Sequence, residues 1–320
     1  MKVLSKIKMI FAATAVASVM LPTASIAADH GNHSSKGMDV PGIGSMVIMS
    51  GLKNPWDMAF TKSGDMFFTE KCDGLSVKTA SGVTKLYGMK GSKGYGAAGS
   101  DLFCEGQAGM LGVTLDPKFE SNRTLYLYST SNKYHGDGCK TNFERCDGNI
   151  VMKFKVAKDL SKVSGRKDIV KDIQYKPFKS DQPFGGPGAH NGGRMAFGPD
   201  GFLYVGTGDR HRGICGQDNS LLCSVVLRID GNGKGASGNK VKGDKRIYTY
   251  GHRNVQGIAF RPSDGQAFTA EHGPWHNDEI TKLVSGGNGG WDPAQKTAGR
   301  GACPDQYCGY EPNQMEGMTP

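Results

Sequence analysis

His190 and Asp209 are the residues whose types and spacing point most directly to chemistry. They bracket Asn191-Gly-Gly-Arg-Met-Ala-Phe-Gly-Pro-Asp-Gly-Phe-Leu-Tyr-Val-Gly-Thr-Gly208, which reads as a strand, a Pro199-Asp200-Gly201 turn and a second strand. The proline sets φ, the aspartate offers an Asx-type side chain, and Gly201 can take positive φ without steric cost. A hairpin of this kind turns the chain back on itself, so an imidazole and a carboxylate 19 positions apart become neighbours. That is the arrangement of a general base with an orienting acid. Taken alone, the pair reads more simply as two polar loop residues without chemistry.

The elements that must position the pair are strands. Apolar residues alternate over short runs separated by Gly, Pro, Asp and Asn, and almost no helical period is present. One unit recurs: strand, Pro/Gly/Asp turn, strand. It spans Ala59–Glu70, Val113–Tyr128, Ala196–Val205 and Ala259–Ala270. The spacing is on the order of the 40–50 residues of a propeller blade, with insertions. The expected fold is therefore an all-β β-propeller, whose radial repetition leaves only short, protected edges. In such a fold the strand ends and loops of one face converge on the central channel. Four blades fall roughly two short of a ring of six. No further hairpin is legible from Ala294 to Pro320, so the reading expects a chain that is C-terminally incomplete.

The composition suits that fold. A chain of 320 residues, 37% hydrophobic and with 48 glycines, can fill a core and supply many turns. Residues 1–27 read as a secretory signal peptide: Lys2, Lys6 and Lys8 precede the apolar run Met9 to Leu21, and Ser25-Ile26-Ala27 offers small residues for cleavage. Residues 28–40 read as a disordered tail and 41–320 as the propeller domain, exported to a bacterial periplasm or secreted. Ala28-Asp29-His30 would be a minor Cu(II) chelate if cleavage follows Ala27. The eight cysteines suit an oxidising compartment. Their spacing suggests Cys139 with Cys146, Cys215 with Cys223 and Cys303 with Cys308, leaving Cys72 with Cys104, although eight cysteines allow many schemes. The formal charge of +9 falls to 9 − 3 = +6 without the three signal lysines. The remaining Lys and Arg are scattered, with no nucleic-acid motif and no membrane span.

Several segments, in collinear order from about Met46 to Pro293, resemble the soluble pyrroloquinoline quinone (PQQ)-dependent aldose, glucose and sorbosone dehydrogenases. They are Asn54-Pro-Trp-Asp-Met-Ala-Phe60 with Thr69-Glu70, Gly106-Gln-Ala-Gly-Met-Leu-Gly-Val113, the stretch from His190 to Asp209, Tyr250-Gly-His-Arg-Asn-Val-Gln-Gly257, Glu271-His-Gly-Pro274, Asp278-Glu-Ile280 and Gly286-Gly-Asn-Gly-Gly-Trp291. The resemblance implies a six-bladed propeller that holds PQQ and Ca²⁺ at the channel mouth and oxidises a sugar. It implies that His190 is the general base, that Asp209 orients it, and that Gln107 hydrogen-bonds near the reacting hydroxyl. Arg253, Asn254, Gln256 and His272 match cofactor-contacting positions. The carbonyls of Gly273 and Pro274 match ligands of a catalytic Ca²⁺, while Asp278, Glu279 and the Gly289 carbonyl resemble a second, structural calcium site.

The residue types agree with these roles. A quinone bearing three carboxylates needs cations and amide donors, and Ca²⁺ takes oxygen ligands. Departures from the family's pattern are Ala189 in place of a carboxylate, Trp275-His276-Asn277 beside the calcium turn, and Gly289 in place of an aromatic. The expected partners are a small-molecule sugar and a quinone or cytochrome as electron acceptor, with homodimerisation left open and nucleic acid not expected. Two other readings stand beside the dehydrogenase: a calcium-dependent, lactonase-like propeller hydrolase, and a propeller that only binds.

Overall fold

Each of the four recurrent hairpins forms the first two strands of its own antiparallel sheet in the computed structural model, which describes residues 44–135, 147–177, 186–211, 213–273 and 278–292. Residues 44–51 contain no helix or strand, and the sheets all lie in the unit that starts at Leu52. The first sheet runs β1 (Pro55–Phe60), β2 (Met66–Glu70), β3 (Gly74–Thr79), β4 (Gly82–Gly88) and the short parallel β5 (Ala97–Ala98). The second is β6 (Met110–Leu115), β7 (Thr124–Thr130), β8 (Asp147–Val156) and β9 (Val163–Gln174). The third is β10 (Met195–Phe197), β11 (Leu203–Gly206), β12 (Val225–Ile229) and β13 (Ile247–Tyr250). The fourth holds β14 (Val255–Phe260), β15 (Ala267–Glu271) and β16 (Glu279–Lys282). Helix among the described residues is confined to the single turn α1 (Phe119–Asn122) and a 3₁₀ turn at Gly213–Gly216.

Side-chain alternation explains why the sheets stack like blades. In β7, Leu125 and Leu127 pack with Phe67, Leu75 and Val77 of the first sheet, whereas Tyr126 and Tyr128 pack with Leu203, Val205 and Leu227 of the third. In β11, Leu203 and Val205 face the second sheet, while Tyr204 joins Val255, Ala267 and Leu283 of the fourth. A strand with period-2 side chains and a neighbour on each face must be apolar throughout, and β7 (TLYLYST) is buried along its whole length. Each sheet is thus cemented to the next by its own apolar cluster, the arrangement of a propeller with four blades in the described chain.

Two disulfides, Cys72–Cys104 and Cys215–Cys223, staple loops at the ends of these sheets. Cys104 lies just before Gln107, and Cys215 shortly after Asp209. The signal-peptide and tail segments, Pro274, Cys139, Cys146, Cys303 and Cys308 lie outside the described residues.

Candidate active site

The third sheet's hairpin does what its sequence requires. β10 and β11 pair with Met195 opposite Val205, and the ladder continues through Gly193 N–H to the Gly206 carbonyl at 2.8 Å. His190 and Asp209 therefore emerge side by side at its open end. Two glycines make this crossing tight. A Cβ on Gly208 would lie 2.0 Å from the His190 carbonyl oxygen, and one on Gly192 (φ +60°) would lie 2.5 Å from the Thr207 Cα. His190 itself has a left-handed backbone, φ +52°, a costly conformation for a residue with a Cβ. Gln107 Oε1 accepts the His190 N–H at 3.1 Å and holds that turn from the second sheet.

The imidazole and the carboxylate are directly bonded, His190 Nδ1 to Asp209 Oδ1 at 2.6 Å, and they are only 6% and 1% exposed. Asp209 Oδ1 also accepts the His211 N–H at 2.8 Å, and Oδ2 accepts the Trp291 Nε1–H at 2.7 Å. Its own N–H donates to the Arg253 carbonyl at 2.7 Å. Burial pushes the Asp209 carboxyl above its usual range, opposed by the charges of His211 and Arg253 and by the His211 and Trp291 donors. A carboxylate on Nδ1 selects the tautomer protonated there and puts the basic lone pair on Nε2. The His211 ring stacks on the His190 ring, centroids 3.8 Å apart and 29° between planes.

Gln107 and Asn191, the hydrogen-bond partner and the chain neighbour of His190, line a cavity of about 320 Å³. All four sheets reach it near the start of their first strands: Asn54, Pro55 and Trp56, then Gln107 and Leu111, then Asn191 and Gly192, then Gln256, with Lys71 from the end of β2. The described lining holds a lysine and several amides but no carboxylate. Asn191 is buried; its Oδ1 accepts from Asn149 at 2.9 Å, whereas its Nδ2 has no hydrogen-bond partner. Such a lining suits an anionic, oxygen-rich group.

The fourth sheet carries the other residues singled out above. Arg253 is buried, donates from NH1 to the His272 carbonyl at 2.8 Å, and lies over the Trp291 ring at 5.7 Å. Asn254 Oδ1 accepts the Gly192 N–H at 3.1 Å and the Gln256 Nε2–H at 2.9 Å, so its amide braces the His190 loop. The His272 side chain is exposed; its Nδ1 and the Gly273 N–H both reach Asp278 Oδ1 at 2.9 Å. Asp278 is thereby engaged locally. Glu279 sits opposite Glu271 across β15 and β16, and burial together with the Glu271 charge pushes its carboxyl up to about 8. Gly289 packs against Gly251, where a Cβ would approach the Gly251 oxygen to 2.5 Å; the backbone there leaves no room for a ring. No group of three or more His, Cys, Asp or Glu side chains converges as a metal cluster among the described residues.

A second His–carboxylate pair repeats the hairpin logic one blade on. His252 Nδ1 lies 2.8 Å from Glu271 Oε2, again 19 positions apart, but its Nε2 is occupied by Thr249 Oγ1 at 2.8 Å and the ring is fully buried. Glu271 Oε1 accepts the Arg253 N–H. That pair is a brace for the backbone and the Arg253 turn. Two residues that the sequence reading gave no role, Trp291 and His211, prove to touch the dyad. Trp291 ends the quoted glycine-rich segment, which was the available signal; His211 had none.

The sequence profile of the Glucose / Sorbosone dehydrogenase family matches residues 52–314. The chain is 29% identical over 252 residues to the aldose sugar dehydrogenase YliI of Escherichia coli, covering 77% of this chain and 60% of that protein. It is 27% identical over 268 residues to the quinoprotein glucose dehydrogenase B of Acinetobacter calcoaceticus, covering 77% of this chain and 51% of that one. The chain thus spans 51% and 60% of the lengths of these two relatives. Among solved structures, the PQQ-bound form of an aldose sugar dehydrogenase from Streptomyces coelicolor superposes with a TM-score of 0.62 at 27% identity, over 81% of this chain and 69% of that one.

Proposed function

The chain belongs to the Glucose / Sorbosone dehydrogenase family, and we propose that it oxidises an aldose at its C1 hydroxyl with PQQ as oxidant, Ca²⁺ as its partner ion and His190 as general base. The observation that carries this reading is the buried His190–Asp209 pair, 2.6 Å apart, whose neighbours Gln107 and Asn191 line a cavity rich in amides. His190 Nε2 takes the hydroxyl proton. Asp209 stabilises the imidazolium that results, and burial strengthens that attraction. Gln107 ties the His190 backbone and lines the cavity, where its amide meets the sugar.

The residues fit the cofactor's chemistry. The cavity lining offers Lys71 and the Asn54, Gln107 and Gln256 amides without an opposing carboxylate, and Arg253 on the neighbouring loop supplies a positive charge for a carboxylate of the quinone. PQQ, when bound, accepts the hydrogen that leaves C1 with its electron pair. The Gly273 and Pro274 carbonyls are the ligands we assign to a catalytic Ca²⁺, and Glu279, its carboxyl pushed up to about 8 by burial and the Glu271 charge, would with Asp278 and the Gly289 carbonyl hold a second, structural Ca²⁺. The disulfides suit an oxidising compartment such as a periplasm, where a quinone or cytochrome would take the electrons onward. Titration of the full chain with PQQ and Ca²⁺, followed by absorbance, tests the reading. Saturable 1:1 binding that weakens in Arg253→Ala supports it, and absence of binding to a demonstrably folded chain overturns it.

A further inference from the structure

We propose, on the reading of this cavity as a sugar-oxidising site, that Lys71 makes the site prefer an acidic aldose, a sugar bearing a carboxylate such as a uronic acid. Among the described residues that line the cavity, Lys71 is the one that carries a charge. His190 is flanked by Ala189 and Asn191, neither of them ionisable. The acids nearest to Lys71 and Gly106 along the chain hold other donors: Glu70 Oε1 accepts the Lys53 N–H at 2.6 Å, and Glu105 Oε2 accepts the Tyr175 hydroxyl at 3.0 Å. A cation in a wall without an opposing carboxylate is matched by an anion that arrives with the ligand.

The fold builds Lys71 into that wall. Its N–H donates to the Asn54 carbonyl at 3.0 Å and its carbonyl accepts the Met110 N–H at 2.8 Å, which ties it to the approach of β1 and to the second sheet. A Cβ on Gly109 would lie 2.6 Å from Lys71 Cγ, so that glycine leaves the space the lysine stem fills. The ammonium donates to the Gly106 carbonyl, and an ammonium has three N–H donors, so two are left for a ligand. Gly106 directly precedes Gln107, whose amide meets the sugar, and the charge therefore stands on the sugar's side of the cavity. Arg253, which serves a carboxylate of the quinone, belongs instead to the turn that leads into β14. The Cys72–Cys104 disulfide joins the residue after Lys71 to the segment that leads to Gly106 and holds the two together.

The test compares glucuronate with glucose on the full chain and on Lys71→Met and Lys71→Arg. With PQQ and Ca²⁺ supplied, glucuronate should show the higher kcat/KM, through a lower KM. Lys71→Met should cut the glucuronate-over-glucose ratio about tenfold to a hundredfold, the worth of a hydrogen bond between charged groups, and Lys71→Arg should keep most of it. Calorimetric titration of the PQQ-free full chain reads the same pairing without turnover: glucuronate should bind more tightly than glucose, and added salt or Lys71→Met should remove the difference. A parent that favours glucose, a ratio that Lys71→Met leaves unchanged, or a titration in which glucuronate binds no tighter than glucose overturns the proposal. So does a Met variant that loses its affinity for PQQ, because the lysine would then hold the quinone. A PQQ-loaded parent that oxidises neither sugar overturns the dehydrogenase reading instead, and the titration still decides the role of Lys71.

Discussion

Replacing Trp291 with phenylalanine separates the bond to Asp209 from the packing around it. Trp291 is 1% exposed, and its Nε1–H is the donor to Asp209 Oδ2 at 2.7 Å. Losing a hydrogen bond to a buried charged group costs about 1.5–3 kcal/mol. The smaller ring adds a packing loss of about 1 kcal/mol. Near neutral pH the variant should therefore be less stable by about 3 kcal/mol in urea denaturation. The sign of its pH dependence follows from the carboxyl. Burial already raises Asp209, and removing a donor to the ionised form raises it further. The native state then holds its proton over a range in which the unfolded chain has lost it, so stability falls as pH rises through that range. The deficit of Trp291→Phe should thus shrink to its packing part of about 1 kcal/mol as pH approaches about 4, the ordinary aspartate value. A deficit below about 0.5 kcal/mol, or one equally large at both pH values, would refute the assignment of this bond to an ionised Asp209.

Two other outcomes follow from the same geometry. Gly208→Ala drives a methyl into the His190 carbonyl at 2.0 Å and should cost about 3 kcal/mol, whereas Gly201→Ala, with open space at φ +79°, should cost only about 1–2 kcal/mol; paired denaturation curves check the ranking. Asp101 is raised by burial, yet the hydrogen bonds and charge of Arg166 and the Ser131 hydroxyl bring it down to about 2. Its stabilisation is complete above about pH 4 and lost as pH falls through 2, worth about 1 kcal/mol after solvent screening; an acid-stability series should show that slope vanish in Arg166→Met.

The inner hairpins were legible because each carries its own punctuation: Pro199-Asp200-Gly201, or Pro262-Ser263-Asp264-Gly265, between runs of alternating apolar residues. The outer strands were not. β9 reads VSGRKDIVKDIQ, an edge strand whose Arg, Lys and Asp guard an unpaired ladder and erase the period-2 signal. The His190–Asp209 contact was also readable, since a hairpin of known turn fixes which ends meet. Local pattern could not reveal Trp291, which reaches Asp209 from 82 positions away. Nor could it reveal the His211 stack, which depends on two left-handed residues at Arg210 and His211 where no glycine announces them. The contrast between the two His–carboxylate pairs was equally hidden. His190 and His252 stand at matching places in successive blades, and only the structure shows Thr249 occupying the far nitrogen of the second.

The most direct test of the account is the steady-state sugar-oxidation rate of the full chain supplied with PQQ, Ca²⁺ and a dye acceptor, compared with His190→Ala at equal PQQ occupancy. The account predicts PQQ-dependent turnover that falls about 10²–10⁴-fold in the variant while PQQ affinity is retained. A variant within a few-fold of the parent, or a folded, PQQ-loaded parent without turnover on any aldose, would contradict it.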